Sequence, residues 1–364
     1  MFHIYNRSFL IMYYIDNCTY RNESHSKVMI MWKSEKQIYL DVYQYTSLCL
    51  GILNIFANGL ALYIFQQMKS THVRLSLILS YLSVYEILFQ LSLVVNMSIL
   101  IGMKNYTPEN SSIFVVLLVT KRLAAWLQIS FQISRNWTLV LLTAFRFENI
   151  CCSFSQRKKI FVKPKIIRIV HSISFVIFLI SFPRTFETGV RFCIFSRVTE
   201  EIQLLMKFRL YQTLYLGFVM FILQSGGPFI CIFTFNYLIL RRIYQQRTYR
   251  KNRFKTIGSS RLGKSSDKLV MLMCAVFFFF EFPSFFSKIL LPIFQRNKNF
   301  RTRTIIVLIA NILIYIDSFL NVFIYTFSHP DFKRVFCQLI SRQPRSNTRE
   351  DDKSRSVTVA LVLK

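Results

Sequence analysis

Seven segments of this chain are apolar over a length that can cross a bilayer. A helix needs about 20 mostly apolar residues to traverse roughly 30 Å of hydrocarbon. None of these runs alternates in polarity as the strands of a membrane barrel do, so only helices fit. The pattern predicts an all-α fold, a bundle of seven transmembrane helices within residues 43–327. The predicted spans are Tyr43–Gln66, Val73–Ile101, Ile113–Asn149, Ile166–Pro183, Thr213–Leu240, Lys268–Pro292 and Thr304–Phe327.

The residues that flank the bundle differ from it in composition. Residues 1–42 precede the first span and are predicted to form an extracellular segment. Residues 328–342 are predicted to form an amphipathic helix on the inner membrane surface, because apolar residues recur there at helical spacing beside Lys and Arg. Its Cys337 is a candidate for lipidation, with a free thiol at the interface as the alternative. Residues 343–364 are rich in Ser, Arg and Asp and are predicted to be a disordered cytoplasmic tail.

The net charge of +29 would by itself suggest a nucleic-acid partner. If the N-terminus is outside, however, more than half of the 46 Lys and Arg residues fall in the inner loops and the tail, as the positive-inside rule expects. Three sequons near the N-terminus, at Asn6, Asn17 and Asn22, are glycosylation candidates on that outer side. The chain is therefore predicted to be a multi-pass plasma-membrane protein that contacts membrane lipids and binds no nucleic acid.

Sequence patterns of catalysis and of cofactor binding are missing. There is no HExxH motif, no Gly-rich phosphate loop and no Ser/His/Asp set, and the eight Cys form no CxxC pair. We therefore expect no enzymatic activity, no metal site and no cofactor.

Seven polar side chains inside the predicted spans are the strongest candidates for a functional role. Ionisable groups at membrane depth are costly and usually mark function. The alternative is that they only join helices through hydrogen bonds. The residues are Asn58, Glu86, Arg135, Arg146, Glu281, Asp317 and Asn321.

The order of short motifs along residues 43–341 resembles that of the rhodopsin-like, class A G-protein-coupled receptors. Each motif is weak alone, but they follow one another helix by helix. Asn58-Gly59 resembles the family's first-span signature, Leu82-Ser-Val-Tyr-Glu86 its Leu-Ala-x-x-Asp, and Phe145-Arg146-Phe147 its Asp-Arg-Tyr. Pro228 and Pro283 match its prolines of the fifth and sixth spans, and Asn321-Val-Phe-Ile-Tyr325 its Asn-Pro-x-x-Tyr.

One branch of that family is the most similar. Trp137-Thr-Leu-Val, Glu281-Phe-Pro283 and Ser318-Phe-Leu-Asn321 resemble the FMRFamide- and myosuppressin-type peptide receptors and the nematode serpentine receptors of class W. The resemblance implies a receptor for an FMRFamide-like neuropeptide that passes ligand binding to a cytoplasmic heterotrimeric G protein. A chemosensory receptor for small molecules is the first alternative. A transporter or channel is more distant, because most helix faces are Phe, Leu and Ile rather than a continuous polar lining.

The resemblance also assigns roles to individual residues. It places the ligand site in the outer half of the bundle, and it places coupling and switching on the inner side. For Glu281 the alternative is a bond to the neighbouring backbone. The candidate ligand residues are Gln128, Gln132, Gln224, Glu281 and Lys288, and the candidate coupling and switch residues are Arg146, Pro283, Asn321 and Tyr325.

Three departures from the family pattern lead to further expectations. Lys121 stands where the third helix usually has a Cys, so Cys18 and Cys193 become the disulfide candidates. Phe145 cannot supply the carboxylate that restrains the motif arginine. The resemblance sets Arg135 beside Glu86 and Asp317, within a polar network that also includes Asn58. A guanidinium there would be a built-in cation where relatives bind sodium; the alternative is that Arg135 extends outward.

Overall fold

The computed structural model describes residues 26–68, 73–104, 111–151, 162–193, 198–203, 205, 208–253, 261–294, 300–328 and 330–341. Eight α-helices account for most of these residues. They are α1 Ser26–Gln67, α2 Val73–Lys104, α3 Ser111–Cys151, α4 Lys163–Ser181, α5 Gly227–Arg253, α6 Arg261–Phe294, α7 Phe300–Ser328 and α8 Pro330–Ser341.

Five stretches of these helices are long and apolar enough to cross a membrane, so the chain has the make-up of a multi-pass membrane protein. They are Ile38–Gln67, Arg74–Met103, Lys163–Phe186, Tyr211–Gln245 and Ile305–Phe327. In α6 the apolar part is shorter and spans Met271–Ser287. Amides and charges interrupt the middle of α3, including Gln128, Gln132 and Arg135. Crossing by α3 and α6, and with it the count of seven, stays a prediction.

The first helix begins earlier than its hydropathy indicates. It begins at Ser26 rather than at Tyr43, although its membrane-compatible part begins only at Ile38. Charged residues between Lys27 and Lys36 lower the hydropathy there, but no Gly or Pro breaks the helical run. Part of the segment predicted to precede the bundle is therefore helical.

A two-stranded hairpin follows the fourth helix. A 3₁₀ turn spans Phe182–Phe186, and the strand β1, Thr188–Cys193, then pairs antiparallel with β2, Val198–Gln203. Strands of six residues lie far below the length that hydropathy detects, so the sequence does not predict this hairpin within an otherwise helical fold. The rest of the described chain is helical.

The fifth apolar segment is wound partly as a π-helix. Two π-helical stretches, Tyr211–Val219 and Ile222–Gly226, lead into α5. A side chain at Gly227 would place its Cβ 2.6 Å from the Ile222 carbonyl oxygen and 3.4 Å from the Trp137 ring. Glycine therefore permits this wider turn to pack directly against α3.

The helices surround α3, which packs against α2, α4 and α5, while α7 packs against α1 and α6. The half of the bundle that adjoins α8 holds the largest apolar cluster, which includes Leu82, Leu142 and Tyr325. Large apolar side chains on the helix faces that point away from the bundle, such as Phe56 and Phe279, are exposed. Apolar faces of this kind suit contact with lipid rather than water. The polar side chains that remain are gathered at the centre of the bundle.

Candidate functional site

Arg135 lies at the centre of the bundle and is fully buried. Its Nη2 atom forms a close ion pair with Glu281 Oε1 and lies 3.5 Å from Asp317 Oδ2. Its Nη1 atom lies 3.6 Å from Glu86 Oε2. The structure thus brings Arg135 together with Glu86 and Asp317 and adds Glu281, for which the sequence predicts a ligand contact or a bond to the neighbouring backbone.

Each of the three carboxylates comes from a different helix. Glu86 is on α2, Glu281 on α6 and Asp317 on α7, while Arg135 is on α3. An arginine removed from water costs several kcal/mol unless charge partners and hydrogen bonds surround it. The ring of Phe89, 5.8 Å from the Arg135 guanidinium carbon, adds a cation–π contact. The guanidinium of Arg135 therefore joins four helices. We call Glu86, Arg135, Glu281 and Asp317 the Arg135 cluster.

Glu86 is the best hydrogen-bonded carboxylate of the cluster. Ser318 Oγ donates to its Oε2 over 2.5 Å, and Asn321 Nδ2 donates to its Oε1 over 3.0 Å. Ser318 and Asn321 are three residues apart, so one face of α7 presents both donors to α2. Asn321, predicted as a switch residue, therefore belongs to the same buried network as Glu86.

Asparagines of α1 extend the network to a fifth helix. Asn54 Nδ2 donates to the Tyr315 carbonyl oxygen of α7 over 2.8 Å. Asn58 Nδ2 donates to the Asn54 carbonyl oxygen over 3.1 Å and to the Ser318 carbonyl oxygen over 3.4 Å. Buried amides at these positions fix the rotation of α1 against α7, because a turned helix would leave them without partners.

The π-helical region connects the cluster to the fifth segment. Pro228 has no N–H to donate to the carbonyl oxygen of Gln224, four residues earlier. Asn136 Nδ2 donates to that oxygen over 2.9 Å, and Asn136 Oδ1 accepts from Arg135 Nε over 3.0 Å. The neighbouring Leu223 carbonyl oxygen accepts from Trp137 Nε1 over 3.0 Å. Backbone groups freed by the irregular turn are thus satisfied by α3.

The residues predicted to bind a ligand lie close to this network. Gln224 Nε2 donates to Gln132 Oε1 over 2.9 Å, and Asn96 Nδ2 donates to Gln128 Oε1 over 3.2 Å. Glu281 is 2% exposed and faces Arg135. The side chain of Lys288 lies outside the described part. A ligand contact at any of these positions stays a prediction.

The predicted coupling residues lie further along the bundle. Arg146 is buried and interacts electrostatically with the Cys274 thiol of α6. Tyr325 packs edge-on against Phe65, with ring centroids 5.1 Å apart, and contacts Phe332 of α8 at 5.8 Å. Tyr325 therefore links α7 to both α1 and α8.

The remaining candidates are mostly beyond the described residues. Cys18, Asn6, Asn17 and Asn22 precede Ser26, and nothing is described of the Cys193 side chain within β1. Cys337 is an exposed free thiol on α8. Among the described residues, no three His, Cys, Asp or Glu side chains are grouped so as to hold a metal ion.

Three polar residues of the network were missed by the sequence reasoning. Asn54 lies one turn before Asn58, Asn136 directly follows Arg135, and Ser318 lies one turn before Asn321. A helical projection would have found Asn54 and Ser318, since residues three or four apart share a face, but not Asn136, which is only one residue from Arg135. Single neutral polar residues are common in membrane helices, so they do not indicate a functional position in the way that charged residues do.

Comparison with known proteins adds no assignment to this geometry. The sequence matches no protein-family model, and no curated protein matches the chain.

Proposed function

We propose that this protein is a G-protein-coupled receptor of the plasma membrane, with seven spans, its N-terminus outside and an FMRFamide-like neuropeptide as ligand. The support comes from the motif order along the chain and from the network around Arg135. Five helices, α1, α2, α3, α6 and α7, meet there through buried polar contacts. A transporter or channel would instead need a polar path along the bundle.

The observation that carries the proposal is the contact between Arg135 of α3 and Glu281 of α6. Glu281 lies two residues before Pro283, where a helix bends easily. A change at this contact would alter how α6 lies against α3, and the same two helices carry Arg146 and Cys274 on the inner side. A rearrangement near the outer amides would thereby reach the predicted coupling surface.

The mechanism we infer is a shift between two populations of the bundle. A ligand that binds the outer bundle more tightly in one arrangement shifts the protein toward it, by no more than the difference in its two affinities. The amides of Gln128 and Gln132 suit the backbone and terminal amide of a peptide. Arg146 and the basic inner loops would then receive the G protein.

A calcium-flux assay in cells that carry a promiscuous G protein tests this function. We expect a saturable response to at least one amidated peptide that ends in Arg-Phe-amide. Gln128→Ala should raise the half-maximal concentration, whereas Arg146→Ala should abolish the response without changing peptide binding. Arg168→Ala, on the exposed side of α4, is the matched control for loss of an arginine.

Surface expression of each variant is measured in the same cells. Silence toward all peptides at normal surface expression would contradict the peptide ligand and favour a small-molecule chemosensory receptor. A peptide response that Arg146→Ala leaves unchanged would contradict the coupling role.

A further inference from the structure

The charges of the Arg135 cluster do not balance. One guanidinium faces three carboxylates, so the formal charge of Glu86, Arg135, Glu281 and Asp317 together is two negative. Arg146, also on α3, lies 11 residues further, about 16 Å along the axis, and is too distant to compensate. The four side chains are between 0% and 3% exposed, so water cannot screen the excess.

A carboxylate at this depth that lacks both a cation and hydrogen-bond donors is too costly to persist as an anion. Each buried ion that lacks a partner costs several kcal/mol, and such a group instead takes up a proton. The groups that interact electrostatically with Asp317 are Arg135, Glu86 and Glu281. The Tyr325 hydroxyl interacts with Glu86 and Asp317 as well. Arg135 is the sole cation in this set, so the missing positive charge must come from elsewhere.

The contacts differ enough among the three acids to identify the one that holds a proton. Glu281 has the closest contact with Arg135, and Glu86 accepts hydrogen bonds from Ser318 and Asn321. Contacts of these kinds stabilise the one net negative charge that remains once a single proton is bound. Asp317 has a single contact at 3.5 Å. We propose that the Arg135 cluster is a proton-binding site and that Asp317 carries the proton.

A proton fits the cluster better than a metal cation does. The guanidinium already lies between the carboxylates, so a metal ion bound to the same oxygens would lie within a few ångströms of a like charge. The buried Tyr325 hydroxyl interacts electrostatically with Glu86 and Asp317, and a protonated acid can donate a hydrogen bond where a carboxylate only accepts.

Proton binding at this place would make the arrangement of the helices depend on pH. If Glu281 moved away from Arg135, the guanidinium would keep only its contacts with Asp317 and Glu86. Asp317 would then release its proton. Conversely, protonation of Asp317 leaves Arg135 to Glu281 and so favours the contact between α3 and α6. The proton thus acts as a ligand that stabilises the contact between α3 and α6 seen in the structure.

Infrared spectroscopy of the purified full-length protein tests the proposal directly. A protonated carboxyl group has a carbonyl stretch that is separate from carboxylate bands and shifts in heavy water. An ordinary aspartate is ionised at neutral pH. We expect such a band at neutral pH in the wild-type protein and its loss in Asp317→Asn. Asp331→Asn, at the start of α8 and partly exposed, is the control and should keep the band.

Isotope labelling locates the proton without any substitution. Aspartate labelled with ¹³C at the side-chain carboxyl should move the band in the wild-type protein, whereas labelled glutamate should not. Absence of the band, or movement with labelled glutamate alone, would overturn the proposal. Neither readout uses a peptide or a G protein, so this proposal and that of the receptor function can fail independently.

Discussion

Two buried arginines on one helix have very different surroundings. Arg135 lies among three carboxylates supplied by α2, α6 and α7. Arg146, three turns further along α3, directly follows Phe145 and interacts with the Cys274 thiol. Both are at most 3% exposed. Both arginines are therefore buried, and Arg135 is the one that contacts acids from three other helices.

The difference indicates that the two positions serve different ends. A guanidinium whose partners come from three helices holds those helices in place, and its removal leaves several charges buried without compensation. We infer that Arg135 holds the bundle together, whereas under the proposed function Arg146 receives a cytoplasmic partner.

The strongest test of this contrast is Arg135→Ser. We expect it to destabilise the bundle by about 3–5 kcal/mol, because it leaves Glu86, Glu281 and Asp317 buried together without a cation. Thermal unfolding of the detergent-purified protein and surface expression measure the loss. Arg168→Ser on α4 removes an exposed arginine and should change neither.

Neutralising the acids should restore what Arg135→Ser removes. The triple variant Arg135→Ser, Glu86→Gln, Glu281→Gln has no uncompensated pair of anions and should regain most of the lost stability. If Arg135→Ser alone expresses and unfolds like the wild type, the central role of this guanidinium is refuted.

The same substitution at Arg146 should have the opposite profile. Arg146→Ser leaves the Arg135 cluster intact, so its unfolding temperature should fall much less than that of Arg135→Ser. Under the proposed function, its response to agonist should fall by at least tenfold at equal surface expression. A loss of stability as large as that of Arg135→Ser would show that the two sites do not differ.

A smaller effect is expected where the network loses one donor. Ser318→Ala removes the hydroxyl that donates to Glu86 Oε2 over 2.5 Å. A hydrogen bond to a charged group contributes about 1.5–3 kcal/mol, and Asn321 still donates to the other oxygen. The unfolding temperature should drop measurably. Ser172→Ala, on the exposed face of α4, is the control, and an equal effect there would contradict the assignment.

Much of the helical order follows directly from hydropathy, because the bilayer demands long apolar runs. The second and seventh predicted spans, Val73–Ile101 and Thr304–Phe327, each lie inside one helix, Val73–Lys104 and Phe300–Ser328. The early start of α1 and the hairpin of β1 and β2 do not follow from it. Charged turns and short strands carry no hydropathy signal, so local geometry decides them.

The contacts of the candidate site likewise fall into those that the sequence predicts and those that it does not. The meeting of Arg135 with Glu86 and Asp317 could be anticipated, because a buried arginine requires acids and the motif order placed these nearby. The contact with Glu281 could not, because it depends on how α6 is rotated against α3. The bond from Asn136 to the Gln224 carbonyl oxygen likewise depends on the backbone group that Pro228 leaves open.

A weaker prediction concerns the residue before Arg146. Phe145→Asp would place a carboxylate next to the guanidinium and restrain it. Under the proposed function, we expect ligand-free signalling to fall severalfold relative to the wild type, measured at equal surface expression. Phe145→Asn, which adds polarity without charge, is the matched control. Equal basal output in Phe145→Asp and the wild type would reject the idea that Arg146 is less restrained here.

The smallest expected effect is that of sodium, which should be none. A sodium ion at this depth would need the oxygens that Arg135 already contacts, Glu86 Oε2 and Asp317 Oδ2. The unfolding temperature should therefore be the same in sodium chloride and in choline chloride at equal ionic strength, so that screening is matched. A sodium-specific rise in the wild type would mean that the guanidinium does not occupy the cation position. Arg135→Ser, if it can be purified, sharpens the test, because removal of the built-in cation should create the very sodium dependence that the wild-type protein lacks.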